Sequence, residues 1–406
     1  MDKPCLVLVT SSLGKSIGVK MWSSIIEGLN SNMVKLEGVV LPEEVDNLSY
    51  CNQRIIIVAT GGTEQGIIKL AERSGSLVLI AHRYYNSLPA TLEAISLISS
   101  RNSIVSVELA NDESMITSIV TKTLRVYSSV QRLRKARFGL IGGISDWLVY
   151  SRVEPDYLES KLGAKLIYIP LEELIEEYRH VNLENDLLLK IVKSARSIYV
   201  NNESVRGALQ IYKAIETIIE KYSLDGLSIK CFDLIKYTGV TACLALSLLN
   251  TKGFPASCEG DIPLLISMAM GTWISNKPVF MGNIAFIDED NIYITHCTAP
   301  LIGPYILNTH FESGLSVGVR VDYPVGEKAT LYRVDPGLNK LRVISGVIVE
   351  SDYTGKWCRT QIKVKTRDPR VLIKKPMGNH YALIIGDYTS ELATMGKLLG
   401  LEVEEV

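Results

Sequence analysis

Acidic and basic side chains follow two apolar strands that the sequence predicts in the middle of the chain. Glu259 and Asp261 come directly after one strand, and Lys230 and Asp233 lie at the end of another. In doubly wound sheets, ligands collect beyond the carboxyl ends of the strands. We therefore take these four residues as candidate functional residues.

A third strand of the same region and the β-rich sequence after it extend this group. Ser145, Asp146 and Trp147 follow the third strand. The β-rich part contributes an amide, imidazoles and a guanidinium, from Asn283, His296, His310, Arg320 and His380. Imidazole and carboxylate ligands together suit a divalent transition metal such as Mn²⁺, so the residue types indicate metal-assisted chemistry.

Each of these residues also has a structural interpretation. Glu259 precedes the apolar segment IPLLISMAMG, which is typical of a helix, and a carboxylate there could cap that helix. His296 and His380 border apolar strands, where a buried and hydrogen-bonded histidine is an alternative to a ligand. His310 and Arg320 flank FESGLSVGV, which can form a plain β-turn or a loop that closes over an anion or hydroxyl groups.

The turn Gly61-Gly62-Thr63 ends an apolar run and could hold a phosphate at a helix N-terminus. It lacks the GxGxxG and GxxxxGK[ST] patterns, so the sequence does not predict nucleotide binding. The chain also lacks a GxSxG elbow and an HExxH metal motif.

Continuous apolar runs, separated by segments of helix length, predict the elements that position these residues. Such runs indicate strands that are buried on both faces of a parallel sheet. In the first third of the chain they lie at 5–9, 54–60, 76–81 and 103–109. The pattern restarts after residue 133, with strands predicted at 138–141, 164–169, 226–231 and 255–258. The fold class is therefore α/β, with two doubly wound, Rossmann-like domains.

From Pro278 onward, short β-rich pieces are separated by turn signals, and few helices intervene before 390–399. This pattern predicts an antiparallel sheet folded into a barrel or sandwich and closed by a C-terminal helix. The sequence thus predicts three domains, at 1–132, 133–275 and 276–406.

Composition limits the partners and the compartment. The 43 Lys and Arg residues balance 44 Asp and Glu residues, which gives no reason to expect nucleic acid or an anionic membrane surface as a partner. The seven cysteines are odd in number and form no CxxC pair, which favours free thiols in a reducing compartment. Apolar runs are too short for a signal sequence or a membrane span. We expect a cytoplasmic protein.

Five segments of the chain resemble the L-fucose isomerase family and its L-arabinose isomerase relatives. They are GGISDWLV at 142–149, IKCFDL at 229–234, CEGDIPLLISMAMGTWISNKPVFMGN at 258–283, HCTAP at 296–300 and GNHYALIIGDY at 378–388. The resemblance implies the same three-domain architecture and a metal-dependent aldose–ketose isomerase of a sugar. It also implies a trimer or hexamer in which the first domain of one subunit covers a neighbour's site.

The resemblance further implies a Mn²⁺ ion, or another divalent cation, bound by two carboxylates and a histidine, with a further histidine in the arabinose branch. These ligands fall on Glu259, Asn283, His380 and His296, so an asparagine stands where the family has its second carboxylate. An amide oxygen can ligate a hard cation, but it cannot ionise or carry a proton.

The family's reaction moves protons through an enediol, and Glu259 is the expected base. Asp261 or Asp233 could replace the missing second carboxylate. We expect the sugar to contact Ser145, Asp146, Trp147, Lys230, His310 and Arg320. Asn283 also leaves two alternatives open: divergent enolisation chemistry, as in an epimerase or lyase, and a sugar-binding protein that has lost catalysis.

Overall fold

A computed structural model describes residues 3–29, 31–100 and 104–406. The chain divides into two compact units, one of Met1–Gln131 with Thr394–Leu401 and the other of Arg132–Ala393 with Glu402–Val406. No helix of the described residues is long and apolar enough to cross a membrane.

The first unit is built on a parallel sheet. In chain order its elements are β1 (Cys5–Val9), α1 (Lys15–Glu27), β2 (Lys35–Val40), β3 (Cys51–Val58), α2 (Glu64–Glu72), β4 (Ser74–His82), α3 (Ser87–Ser100), β5 (Val105–Ala110) and α4 (Glu113–Leu133). The strand order is β2-β1-β3-β4-β5, and all of its pairings are parallel. Apolar side chains of β1 and β3 are almost fully buried, which explains their continuous apolar runs.

Two cysteines of this unit correct the interpretation that all cysteines are free thiols. Cys5, the first residue of β1, and Cys51, the first residue of β3, form a disulfide. The two strands are neighbours in the sheet, which brings the two Cα atoms to 6.4 Å. The pairing depends on strand order, which the spacing of cysteines in the sequence does not reveal.

The second unit begins with another parallel sheet. Its elements are β6 (Arg137–Ile141), α5 (Pro155–Leu162), β7 (Lys165–Ile169), α6 (Leu171–His180), α7 (Asn185–Ser194), β8 (Ser197–Ile198), α8 (Asn202–Tyr222), β9 (Gly226–Ile229), α9 (Cys231–Thr238), α10 (Cys243–Thr251), β10 (Ala256–Cys258) and α11 (Ile262–Ser275). The strand order is β10-β9-β6-β7. The loops after β6, β9 and β10 therefore leave the same edge of the sheet.

A closed barrel follows within the same unit. The elements are β11 (Phe280–Ile287), β12 (Asn291–His296), β13 (Tyr305–Asn308), β14 (Gly318–Val321), β15 (Lys328–Val334), β16 (Lys340–Glu350), β17 (Thr360–Thr366), α12 (Val371–Lys374), β18 (His380–Ile385), α13 (Thr389–Leu398) and β19 (Glu402–Glu405). Six strands in the order β15-β18-β11-β12-β17-β16 close into a ring because β16 also pairs with β15. The strand β19 adds to β16, and β14-β13-β8 form a separate small sheet.

The predicted mixed α/β class, with two parallel sheets and a barrel-like C-terminal part, agrees broadly with this architecture. The predicted strand at 226–231 ends at Ile229, because Cys231 already begins α9. The start of the strand predicted at 103–109 lies outside the described residues. The sequence analysis missed β2, β8, β13 and β19, and the division into three domains stays a prediction.

Candidate active site

Three buried side chains of the second unit come together where a loop of the sheet meets barrel strands. The carboxylate Oε1 of Glu259 lies 3.6 Å from Nε2 of His380 and 3.9 Å from Nε2 of His296. One ligand atom from each residue lies within 4.8 Å of the other two, so the group could hold a metal ion. The sequence analysis named all three as metal ligands by resemblance, and the structure places them together.

The backbone places Glu259 in this cluster. Glu259 directly follows β10, and its carbonyl oxygen accepts a hydrogen bond from the amide of Ser145 at 2.9 Å. Its φ of 64° lies in the left-handed region, which residues other than glycine and asparagine rarely adopt. At the next position, 260, a Cβ would collide with the carbonyl oxygen of Gly143, so only a glycine fits there. The turn therefore fixes the direction of the carboxylate.

Hydrogen bonds at the far side of each imidazole orient the two histidines. His380 donates from Nδ1 to Oδ2 of Asp261 at 3.0 Å, and Nδ1 of His296 pairs with the hydroxyl of Thr298 at 2.9 Å. Both Nε2 atoms are thereby turned toward Glu259. A carboxylate behind the ring is a usual support of a metal-binding histidine.

Asp261 belongs to a fully buried network with Arg333. The guanidinium donates to both carboxylate oxygens, each at 3.1 Å, and neither side chain is exposed to solvent. Asp261 also caps α11 by accepting from the amide of Leu264 at 3.0 Å. Burial opposes ionisation of Asp261, but the charges of Arg333 and His380 outweigh it and lower its pKa to about 2. The carboxylate oxygens of Asp261 are thus occupied by Arg333, His380 and the amide of Leu264, and its catalytic role stays a prediction.

Electrostatics at the cluster depend on burial and on the close approach of charges. Burial disfavours the Glu259 carboxylate, but His380 outweighs this effect and lowers the pKa of Glu259 to about 2. Burial likewise opposes a charge on His380, whereas Asp261 and Glu259 raise its pKa to about 9. For His296, burial and the neighbouring charge of His380 outweigh the raising effect of the Glu259 carboxylate and lower its pKa to about 3.

Asn283 lies on β11, directly opposite His380 on β18. Its Oδ1 accepts a hydrogen bond from Nδ2 of Asn379 at 3.0 Å, and that nitrogen is also 3.5 Å from Nε2 of His380. The asparagine therefore borders the cluster, with an amide oxygen where the resemblance implies a carboxylate.

A row of rings forms one wall beside Glu259. The indole of Trp147 donates to Oε2 of Glu259 at 2.6 Å and meets the ring of Phe232 edge-on at 4.9 Å between centroids. Phe232 in turn contacts His310 at 5.5 Å. The indole is half exposed, which leaves an aromatic surface of the kind that sugars contact. The amide of Ser313 donates to Nδ1 of His310 at 3.3 Å, so the neutral ring carries its proton on Nε2.

Three more predicted residues form a charged group on the surface beside the aromatic rings, and a fourth, Ser145, is buried. Lys230 forms ion pairs with Asp146 at 3.2 Å and with Asp233 at 3.0 Å, next to the aromatic wall. The hydroxyl of Ser145 is buried and has no hydrogen-bond partner. The ion pairs of Lys230 occupy the carboxylates of Asp146 and Asp233. The catalytic role of Asp233 and the substrate contacts of Asp146 and Ser145 stay predictions.

Arg320 has a charged and an aromatic partner of its own. It lies on β14, pairs with Asp322 at 3.5 Å and stacks over the ring of Tyr353 at 5.3 Å. Its predicted contact with the substrate stays a prediction.

Sequence reasoning missed Arg333, Thr298, Asn379 and Phe232. Arg333 lies in the middle of the strand sequence KATLYRVD, where a charge inside an apolar run was the one available signal of a buried partner. Asn379 and Thr298 lie within GNH and HCT, one and two residues from the histidines, so their neighbourhood had been identified. Phe232 lies within the segment IKCFDL that carried part of the resemblance, but an aromatic residue at a helix start is ordinary core sequence and was not singled out.

Comparison with known proteins supports an isomerase. No protein-family model matches the chain. A sulfoquinovose isomerase of Priestia aryabhattai is 26% identical over 316 residues, which cover 72% of this chain and 69% of that protein. The sulfoquinovose isomerase of Alkalicoccus urumqiensis is 24% identical over 317 residues, covering 73% and 70%.

These relatives confirm the prediction that the chain is an enzyme, an intramolecular oxidoreductase of the isomerase class. The more specific resemblance to L-fucose isomerases stays a prediction.

Proposed function

We propose that this chain is an aldose–ketose isomerase of a sugar that works with a divalent cation held by Glu259, His296 and His380. The observation that carries the proposal is the buried cluster of one carboxylate and two imidazoles beside the exposed indole of Trp147. The sugar isomerases among the relatives support the reaction class.

The chemistry of the donor set fits a divalent metal. Each imidazole is held through Nδ1, which leaves Nε2 facing the carboxylate, and the separations of 3.6 and 3.9 Å exceed hydrogen-bond lengths. Two imidazoles, a carboxylate and the amide oxygen of Asn283 are donors that suit Mn²⁺ and similar ions. A cation bound there would supply Lewis-acid stabilisation of negative charge on neighbouring sugar oxygens.

The chain's own residues would orient the sugar and move its protons. Glu259, held by the Trp147 indole, is the proposed base that takes the proton from the carbon next to the carbonyl group. Because the oxygens of Asp261 are taken up by Arg333 and His380, we assign it a positioning role. We propose that His310 donates from Nε2 to a sugar oxygen, which compensates for the missing second carboxylate.

Sulfoquinovose is the first sugar to test, because the relatives carry its name. The metal-free protein and the Mn²⁺-loaded protein would each be incubated with sulfoquinovose, L-fucose and L-arabinose, and the products followed by NMR. We expect a ketose from one of these sugars with Mn²⁺ and none after chelation. Full turnover in the chelated protein would contradict the metal-dependent proposal.

Two Glu→Gln variants distinguish loss of a catalytic group from a general effect of removing a carboxylate. Glu259→Gln should lower turnover by about 10²–10⁴-fold, the range expected for loss of a catalytic acid or base. Glu176→Gln removes an exposed carboxylate on α6 and should leave turnover unchanged. Equal turnover in the two variants would remove Glu259 from the mechanism.

An epimerase is the second candidate, because Asn283 stands in place of a carboxylate. Reaction in D₂O distinguishes the two functions. An isomerase produces a ketose that carries deuterium at C1, whereas an epimerase returns an aldose with inverted configuration and deuterium at C2.

We also propose a homo-oligomer, which the resemblance implies, and a cytoplasmic location, which the cysteine usage and the short apolar runs of the sequence favour. Analytical ultracentrifugation tests the assembly. A strict monomer at micromolar concentration would contradict it.

A further inference from the structure

A half-buried arginine, Arg359, lies at the end of the aromatic wall that Trp147, Phe232 and His310 form. Its Nε donates to the carbonyl oxygen of Thr309 at 2.7 Å, and its Nη2 donates to the hydroxyl of the same residue at 3.0 Å. Thr309 directly precedes His310. The guanidinium is therefore fixed beside the imidazole that we propose to contact the sugar.

The backbone also places Arg359 next to a candidate metal ligand. The residue after it, Thr360, pairs with His296 across the strands β12 and β17. On the other side, a Cβ at Gly318 would lie 3.2 Å from Cα of His310 and 3.4 Å from Cγ of Arg359, so a glycine there lets the two segments approach each other closely. Arg359 thus borders the site both from the His296 side and from the His310 side.

The guanidinium of Arg359 has donors left for a ligand. Of its five N–H groups, Nη1 gives one to the hydroxyl of Tyr353, and Nε and Nη2 give one each to Thr309. One N–H therefore remains on each terminal nitrogen. In the part of the chain that the structure describes, no carboxylate forms an ion pair with Arg359, whose partners are these neutral oxygens. Arginine binds two oxygens of a single anionic group through such a pair of N–H donors.

A second arginine faces the same tyrosine ring. The guanidinium carbons of Arg320 and Arg359 lie 5.3 and 5.8 Å from the centre of the Tyr353 ring. Arg320 pairs with Asp322 at 3.5 Å, but Arg196 pairs with the same carboxylate. Among the described residues, the ion pairs of these three arginines thus involve a single carboxylate. This imbalance produces a positive potential that attracts an anion to the border of the site.

We propose that Arg359, assisted by Arg320, binds an anionic group at the end of the sugar that is remote from its carbonyl group. The reacting end would lie at Glu259, and the sugar would run along the aromatic wall to the arginines. The two arginines would then select a sugar with a sulfonate, phosphate or carboxylate group over its neutral counterpart. This inference names the substrate class of the proposed isomerase, so it rests on the proposed function.

Alditols test the binding of the charge without turnover, because they lack the carbonyl group and cannot isomerise. The probes are D-glucitol, which is neutral, and the reduced forms of sulfoquinovose, D-glucose 6-phosphate and D-glucuronate, which carry three different anionic groups at carbon 6. Calorimetric titration of the Mn²⁺-loaded chain measures their affinities. We expect one anionic alditol to bind about 10–100-fold more tightly than D-glucitol, the range for hydrogen bonds to a charged group. The tightest probe identifies the group, and equal affinities for all four would overturn the proposal.

Variants of Arg359 distinguish recognition of the anion from support of the loop. Arg359→Gln should weaken binding of the preferred anionic alditol by about 10–100-fold and leave the affinity for D-glucitol unchanged. Arg359→Lys keeps the charge but loses the two-point geometry, so its affinity should be intermediate. Arg179→Gln, at an exposed arginine on α6, is the matched control and should bind every probe as the wild-type chain does. An equal loss for charged and neutral alditols in both Arg359 variants would assign Arg359 a structural role and overturn the proposal.

Turnover is measured separately, with sulfoquinovose and with D-quinovose, which lacks the sulfonate. Charge-selective binding in a chain that converts no sugar would refute the proposed isomerase alone. Conversion of the two sugars at equal rates, in the wild-type chain and in Arg359→Gln, would overturn the role of the arginines and leave the isomerase intact.

Discussion

Each of the two units contains a buried arginine paired with a carboxylate, and the two pairs differ in what else they hold. In the first unit, Arg54 donates from Nε and Nη2 to Glu37 at 2.9 and 3.1 Å, and the two side chains are 0% and 2% exposed. In the second unit, Arg333 grips Asp261 in the same two-point manner. Only Asp261 carries a further partner that belongs to the candidate site, His380.

Both ion pairs are costly to desolvate, but their arginines have different further partners. Burying an ion pair is expensive in desolvation, and its gain in stability over an apolar pair is small. The remaining donors of Arg54 go to the backbone and to Ser74, so this pair ties strands and a helix end together. Arg333 instead holds a carboxylate against an imidazole. A buried arginine–carboxylate pair therefore supports packing in the first unit and orients the imidazole of His380 in the second.

Asp261→Asn should produce the largest combined effect. The amide leaves the charge of Arg333 buried and uncompensated, which costs about 3–5 kcal/mol of unfolding free energy. It also weakens the support of His380, for which we expect about 10–100-fold lower metal affinity. Urea unfolding and Mn²⁺ titration measure the two effects separately. Unchanged Mn²⁺ affinity would show that Asp261 acts in packing alone.

Glu37→Gln is the matched change in the first unit. It leaves Arg54 without its charge partner, so we expect a similar loss of about 3–5 kcal/mol. Because the carboxylate of Glu37 is bonded to Arg54 within the first unit and the site residues belong to the second, turnover per folded molecule should stay at the wild-type value. Turnover reduced tenfold at a temperature where the variant is folded would contradict the distinction between the two pairs.

Thr298→Val sharpens the comparison at the second histidine. Valine keeps the shape of threonine but removes the partner of Nδ1 of His296, which costs about 1–3 kcal/mol for an unsatisfied buried group. Metal affinity should fall by about tenfold or more, as for other supporting contacts behind a ligand. Thr298→Ser restores the hydroxyl and should restore affinity; failure of this rescue would assign the loss to packing.

A third pair, between Arg342 and Glu404, should show the smallest effect because its carboxylate is partly exposed. Burial opposes ionisation of Glu404, but Arg342 and Lys375 outweigh it and lower the pKa of Glu404 below its ordinary value. The stabilisation is thus present above the ordinary pKa of a glutamate and is lost as pH falls through the lowered value. Glu404→Gln should cost at most about 1 kcal/mol at pH 7 and less near pH 3. Thermal melts at both pH values test this sign.

Much of the fold could be predicted from sequence because buried parallel strands have an unmistakable pattern. The runs around Leu6, Ile56 and Leu79 are apolar on both faces, and each forms a strand of the first sheet. The strand β2 was missed because Lys35 and Glu37 interrupt its apolar character. The ring closure between β15 and β16 could not be predicted, because local sequence does not specify which strands pair.

The candidate site was predictable only in part. Glu259, His296 and His380 were found through a resemblance, since their separation in sequence gives no sign that they meet. The role of Asp261 depended on knowing what occupies its oxygens, and Arg333 lies 72 residues away. The contacts that orient a site are long-range, so sequence patterns name the ligands more readily than their supports.

The left-handed backbone at Glu259 makes a glutamate less stable there than a glycine, although the proposed activity needs its carboxylate. A residue with a side chain pays about 1–2 kcal/mol for this conformation, whereas glycine adopts it freely. Selection for thermostability alone would therefore replace this residue, with glycine or asparagine as the expected winners. A stability-only screen of position 259 would therefore select against the side chain that we propose as the base.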